Sequence, residues 1–273
     1  MATMFSNQIR LEILKMLKHR NFGHLGGSLS LVETLSVLYD GVMHIDPKHP
    51  EDPNRDYFIL SKGHAGPALY ATLALKGYFD KSLLNTLNDN GTTLPSHTDK
   101  NLTTGVDMTT GSLGQGLSVA VGVSLGFKLQ NKKNRVYAVV GDGELNEGQC
   151  YEAFIFAGQK KLDNLIVFID DNKLQLDGFR KEVSDQGDFV KRLESFDFYA
   201  VRVDGHDEIE ITKAIKDAWQ IKDKPTAIIL DTIKGKGVKE FENIASNHHM
   251  RFSETQHQIL DRVILELEAE IND

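Results

Sequence analysis

Apolar positions recur in two rhythms along this chain. Near its start Ile9, Ile13, Leu14 and Leu17 fall at helical spacing, so the pattern predicts an amphipathic first helix. A second helix is expected to begin at Ser30, with Glu33 three residues on completing a capping box. It should run through Leu35, Leu38 and Tyr39 to Gly41. Then the rhythm changes. Residues 57–60, 136–140, 165–169 and 227–230 are short, unbroken apolar runs rich in β-branched or aromatic side chains. Such runs suit strands covered on both faces, as in a parallel sheet. Helical stretches at 117–129 and 149–160 lie between them. A last helix is expected over about residues 253–271, with Leu260, Val263, Ile264, Leu267 and Ile271 on one face. Strands alternating with helices predict an α/β fold, a doubly wound, mostly parallel sheet with helices on both faces.

No repeat, low-complexity tract or Pro/Ser-rich linker breaks this pattern, so residues 1–273 read as one domain. The 273 residues, 40% of them hydrophobic, suffice for one large core. Acidic residues outnumber basic ones, 39 to 31, for a net charge of -8, and no basic stripe is visible. That balance argues against a protein that grips nucleic acid through its phosphates. Cys150 is the sole cysteine, which excludes an internal disulfide and favours a reducing compartment. Arg10, Glu12, Lys15 and Lys18 interrupt the apolar pattern of residues 1–20, so a signal-peptide core is missing. No later stretch is long enough to span a bilayer. A soluble cytoplasmic protein is the expectation.

The most informative segment is Gly141-Asp142-Gly143, directly after the run that ends at Val140. Thirty positions beyond Asp142, Asn172 follows the next apolar run. If those runs are neighbouring parallel strands, both turns open at the carboxyl edge of the sheet, where ligands bind in open α/β folds. A carboxylate, an amide oxygen and a backbone carbonyl are hard ligands that suit Mg2+, with phosphate oxygens and water filling its remaining positions. Gly143 allows close approach of a phosphate, and the helix beyond offers free N–H groups to the same anion. Taken alone, Gly-Asp-Gly is also ordinary turn chemistry.

The longer segments carry more. Gly-Asp-Gly-Glu-Leu-Asn-Glu-Gly at 141–148 and Asp-Asp-Asn-Lys at 170–173 resemble the thiamine-diphosphate motif of transketolases. The resemblance extends over about residues 10–250. It takes in Gly23-His24-Leu-Gly-Gly-Ser28, Ser61-Lys-Gly-His64, Pro95-Ser-His97, Gly111-Ser-Leu-Gly-Gln-Gly116 and His248. It implies a thiamine-diphosphate-binding fold, here the diphosphate-binding domain. It also implies metal ligation by the side chains of Asp142 and Asn172 and by the carbonyl of Leu174. Mg2+ would be the ion, with Ca2+ or Mn2+ able to substitute.

Further roles follow from the same likeness. His64 and His248 would approach the diphosphate, while His24 and His97 would face sugar hydroxyls and help move protons, work that suits imidazole. Gly111, Ser112 and Leu113 would lie against the cofactor's rings. Gly143, Glu144 and Lys234 would also contact the cofactor, and Glu147 would sit near it at a subunit contact. His19, His44, His49 and His257 lie in polar stretches and read as surface residues. His206, in Asp204-Gly-His-Asp207, reads as part of a loop entering a helix. His248 has His249 beside it where transketolases usually show Trp-His-Gly, so either could face the cofactor.

A complete transketolase is more than twice this length. The resemblance therefore implies a separate partner chain that supplies the activating glutamate and the phosphate-binding residues, in an α2β2 assembly acting on sugar phosphates. Four other readings stand beside this one: the α chain of a 2-oxoacid dehydrogenase, a deoxyxylulose-phosphate synthase, a specialised enzyme for unusual sugars, and a non-catalytic cofactor-binding module.

Overall fold

The computed structural model describes residues 3–242 and 244–272. Its centre is a parallel sheet of five strands: β1 (Tyr57–Leu60), β2 (Val136–Gly141), β3 (Leu165–Asp171), β4 (Tyr199–Asp204) and β5 (Thr226–Asp231). Their order across the sheet is β1-β2-β3-β5-β4, and every neighbouring pair runs parallel. All residues of β2 and β3 are buried, as their unbroken apolar runs required.

Side chains alternate between two cores. Val136, Ala138 and Val140 pack on one face with Leu117 and Val121 of α4 (Gln115–Leu129) and Phe154 of α5 (Gly148–Gln159). Tyr137 and Val139 point to the other face. It is covered by α1 (Met4–Arg20), α2 (Val32–Val37), α3 (Gly66–Lys76), α6 (Glu208–Ala218) and α7 (Glu254–Asn272). The predicted α/β architecture is therefore present, with helices on both faces. Among the described residues no helix is long and apolar enough to cross a membrane.

Two expectations need correction. The second helix does not start at a Ser30–Glu33 capping box. Its segment is divided into a short helix over Leu25–Leu29, α2, and a π-turn over Leu38–Val42 in which Asp40 leaves helical geometry. The reason is that both supposed capping side chains have partners deeper in the fold. Ser30 donates to Asp170 at 2.6 Å, and Glu33 pairs with Arg10 and His206. Strand β4 was also not foreseen, because it is an edge strand and only partly buried.

Candidate functional site

The carboxyl ends of β1, β2, β3 and β5 open into one cavity of about 620 Å3. Its lining includes His24, Lys62, His64, His97, Asp142, Asn172, Leu174, Lys234 and His248. Asp142 follows β2, and its two carboxylate oxygens accept the N–H groups of Gly143 (2.9 Å) and Lys173 (2.8 Å). The amide oxygen of Asn172 accepts the N–H of Leu174 at 3.1 Å. Successive backbone N–H groups of one turn thus hold an oxygen from each of the two predicted metal ligands.

Burial, with Asp170 and Asp171 adding like charge, pushes the Asp142 carboxyl up to about 7. A divalent cation would relieve that crowding of negative charge, and the donors around it are hard oxygens. The oxygens present would therefore suit a hard divalent cation such as Mg2+. Among the described residues no group of three or more His, Cys, Asp or Glu could hold a metal alone. A set of one carboxylate, one amide and one carbonyl does not call for such a group.

Beneath this turn sits Asp170, fully buried. It accepts from Ser30 (2.6 Å), the Lys62 ammonium (2.5 Å), the Asn172 amide (2.9 Å) and the Thr232 hydroxyl. Burial would raise its carboxyl, but the Lys62 charge and these bonds outweigh burial and hold it below the usual range. Because the Asn172 amide N–H points to Asp170, its oxygen is left for Leu174 and the cavity.

The four predicted histidines converge on the same space. His24 is the hub, with ring centroids 5.6 Å from His64, 5.6 Å from His97 and 5.5 Å from His248. His64 and His248 are 4.7 Å apart. Burial is the leading cause that lowers all four, aided at His24, His64 and His248 by neighbouring histidines and lysines. His24 falls to about 3 and His248 to about 4. Near pH 7 these are neutral imidazoles that both donate and accept. His249 lies 4.7 Å from His24 but is exposed and outside the lining.

Lys234 is buried, 3.3 Å from the Leu174 carbonyl and 3.2 Å from His248 Nδ1. Burial, then the charge of Lys62, lowers its ammonium to about 8, which leaves it mostly cationic at pH 7. An ammonium only donates, so His248 Nδ1 accepts and the His248 proton sits on Nε2.

Gly111 and Leu113 line the cavity, and Gly111 packs so tightly that an added Cβ would lie 3.3 Å from His97. Glu144 also lines it, yet its carboxylate is taken by the protein. It accepts from Ser61 (2.5 Å) and the N–H groups of Gly114 (2.8 Å) and Gly141 (3.0 Å). It therefore braces three loops around the cavity. Cys150, in the first turn of α5, is fully buried with its thiol 3.5 Å from the Glu144 carbonyl, and burial pushes it up to about 12. Ser112 and Glu147 are exposed and outside the lining. Sequence reasoning missed Lys62 and Asp170, and also Asn146, Gln175 and Ser184 on the cavity wall. Lys62 had a usable signal, since it stands two residues past the strand run that ends at Leu60, at the carboxyl edge.

Fold and site together define a class: a doubly wound α/β domain that binds thiamine diphosphate. The chain belongs to the transketolase family, with residues 1–262 matching the domain described as "Transketolase, thiamine diphosphate binding domain". It is 46% identical over 265 residues to the 6-deoxy-6-sulfo-D-fructose transketolase subunit SqwG of Clostridium sp. (strain MSTE9), covering 97% of this chain and 95% of that one. It is 35% identical to an apulose-4-phosphate transketolase subunit of Phocaeicola vulgatus, over 98% of this chain and 96% of that one. A solved mutant transketolase of Pichia stipitis superposes with a TM-score of 0.89 at 30% identity. That match covers 98% of this chain but 43% of the Pichia chain, so this chain spans less than half of a full-length transketolase.

Proposed function

We propose that this chain is the diphosphate-binding subunit of a cytoplasmic, two-chain transketolase, dependent on thiamine diphosphate and Mg2+. It would move a two-carbon ketol unit from a ketose to an aldose. The observation that carries this reading is the joining, in one cavity, of the hard oxygens of Asp142, Asn172 and Leu174 with four neutral imidazoles. The near full-length match to two proteins named as transketolase subunits supports a division between chains. On this reading residues 1–273 form only the diphosphate-binding domain. A partner supplies the activating glutamate and the phosphate-binding residues, in an α2β2 assembly.

Asp142, Asn172 and the Leu174 carbonyl would hold the cation, and Lys234 would set a positive charge against the diphosphate. Bound there, the cofactor supplies a carbon nucleophile that can break and remake a bond beside a ketose carbonyl. The chain's own part is to orient and to handle protons. His24, His64, His97 and His248, all neutral, can donate to sugar oxygens that gain negative charge and accept protons from hydroxyls that lose one. His248 Nε2–H is the donor whose tautomer is fixed, because Lys234 occupies Nδ1. The relative named for a sulfosugar supports a donor ketose with an anionic end, whether phosphate or sulfonate.

The test is ketol transfer to ribose 5-phosphate from xylulose 5-phosphate or 6-deoxy-6-sulfofructose, by this chain alone and mixed with its candidate partner. Activity is expected only in the mixture, and Asp142→Ala should abolish it together with Mg2+-dependent binding of thiamine diphosphate. Full activity from the isolated chain would overturn the two-chain reading. Failure of the wild-type mixture to bind the cofactor would overturn the site itself.

A further inference from the structure

The loop of residues 232–237 presents Lys234 to the cavity, while its opposite side rests on three ionisable side chains that no step above uses. Arg10 from α1, Glu33 from α2 and His206 from the turn after β4 meet there, with side chains 6%, 3% and 12% exposed. Arg10 donates to Glu33 Oε1 at 2.5 Å, and Glu33 Oε2 lies 3.0 Å from His206 Nδ1. His206 Nε2 accepts the backbone N–H of Ile233 at 2.8 Å. A backbone amide only donates, so Nε2 carries no proton and Nδ1–H donates to Glu33. Arg10 Nε donates in turn to the carbonyl of Lys236 at 3.3 Å. Gly237, at φ +94°, lies so close that an added Cβ would sit 2.6 Å from Arg10 Cδ. The residues on either side of Lys234 and Gly235 are therefore held by one buried triad.

We infer that Arg10, Glu33 and His206 are positioning residues that act through the loop to hold the Lys234 ammonium where a diphosphate is bound. Glu33 is the bridge. Burial would raise its carboxyl, but the bond from His206 and the charge of Arg10 outweigh burial and keep it ionised. The ionised carboxylate fixes the tautomer of His206, which fixes the amide of Ile233, one residue before Lys234. This is the arrangement by which outer-layer residues commonly orient the groups that touch a ligand.

The inference rests on the proposed cofactor site, and the test separates the two. The complex of this chain with its candidate partner is titrated calorimetrically with thiamine diphosphate in excess Mg2+, with this chain as wild type and as two variants of opposite design. His206→Asn keeps an amide beside Glu33, where Nδ1 sits, but cannot reach Ile233. His206→Gln carries an acceptor to the Ile233 N–H, where Nε2 sits, and gives up the Glu33 contact. Each variant breaks one joint of the chain from Glu33 through His206 to Ile233, so affinity should fall about tenfold in both, the scale typical of losing an outer-layer partner. In a Lys234→Met background neither His206 variant should cost further affinity, since coupled residues do not add. Wild-type affinity in either His206 variant, or an equal loss with and without Lys234, would overturn the inference while leaving the cofactor site intact. A wild-type complex that binds no thiamine diphosphate would overturn both.

Discussion

Asp170 is not itself part of the cavity lining, yet two of its four hydrogen bonds, from Lys62 and Asn172, orient residues that are. Removing a buried carboxylate strands the Lys62 ammonium without its partner, a class of change that costs about 3–5 kcal/mol. Asp170→Ala should lower unfolding stability by about that amount, seen as a shifted urea midpoint at constant m-value. An unchanged midpoint would mean that Lys62 finds water or another acceptor. The sequence showed Asp170 only as a letter in the 170–173 segment. Its partners Ser30, Lys62 and Thr232 lie 140, 108 and 62 positions away, so no local spacing could reveal them. His24, His64 and His97 were easier to find, because each stands in a short segment beside a glycine or serine, whereas His248, between Asn247 and His249, does not.

Among elements, legibility followed burial. β2 and β3 are buried at every position, and their apolar runs announced them. β4, with Arg202 and Asp204 exposed and its other residues half-buried, left only a faint alternation. The start of the second helix was misread because Ser30 and Glu33 match a local rule while serving distant partners. α5 illustrates the packing that sequence cannot show. It crosses the segment before β4 so closely that a Cβ on Gly158 would overlap the carbonyl oxygen of Phe196. A backbone atom cannot swing aside, so Gly158→Ala should destabilise the chain by about 3 kcal/mol, at the high end of overpacking costs. Gly122, on α4 with open space around it, is the control. Gly122→Ala should raise stability by roughly 0.5–1 kcal/mol through helix propensity alone. If the two glycines respond alike in thermal melts, the contact at Phe196 is not what constrains α5.

Over the whole molecule, the cluster of neutral histidines links stability to pH. His24 and His248 take up protons only near 3 and 4 when folded, against a normal 6.5. Between those values the unfolded chain holds more protons, so the two residues withdraw stability as pH falls from 6.5 towards 4. Asp142 runs the other way. Its raised value of about 7, against a normal 3.8, adds stability as pH falls through the same window. His64 is lowered as well, while Asp56, Asp107 and Glu144 are raised alongside Asp142, so the histidine share is read as a difference. Between pH 6.5 and 4 the Tm of the ligand-free wild-type chain should fall more steeply, or rise less, than that of the double variant His24→Asn, His248→Asn, and identical slopes would place the proton linkage elsewhere. The buried thiol of Cys150 has a consequence at the same scale. Being the only cysteine, and sealed beneath the first turn of α5 against the Glu144 carbonyl, it meets a solvent-borne alkylating reagent only when that turn lifts. The chain thus carries its own clock for opening of the region that braces the cavity, and no label needs to be engineered to read it.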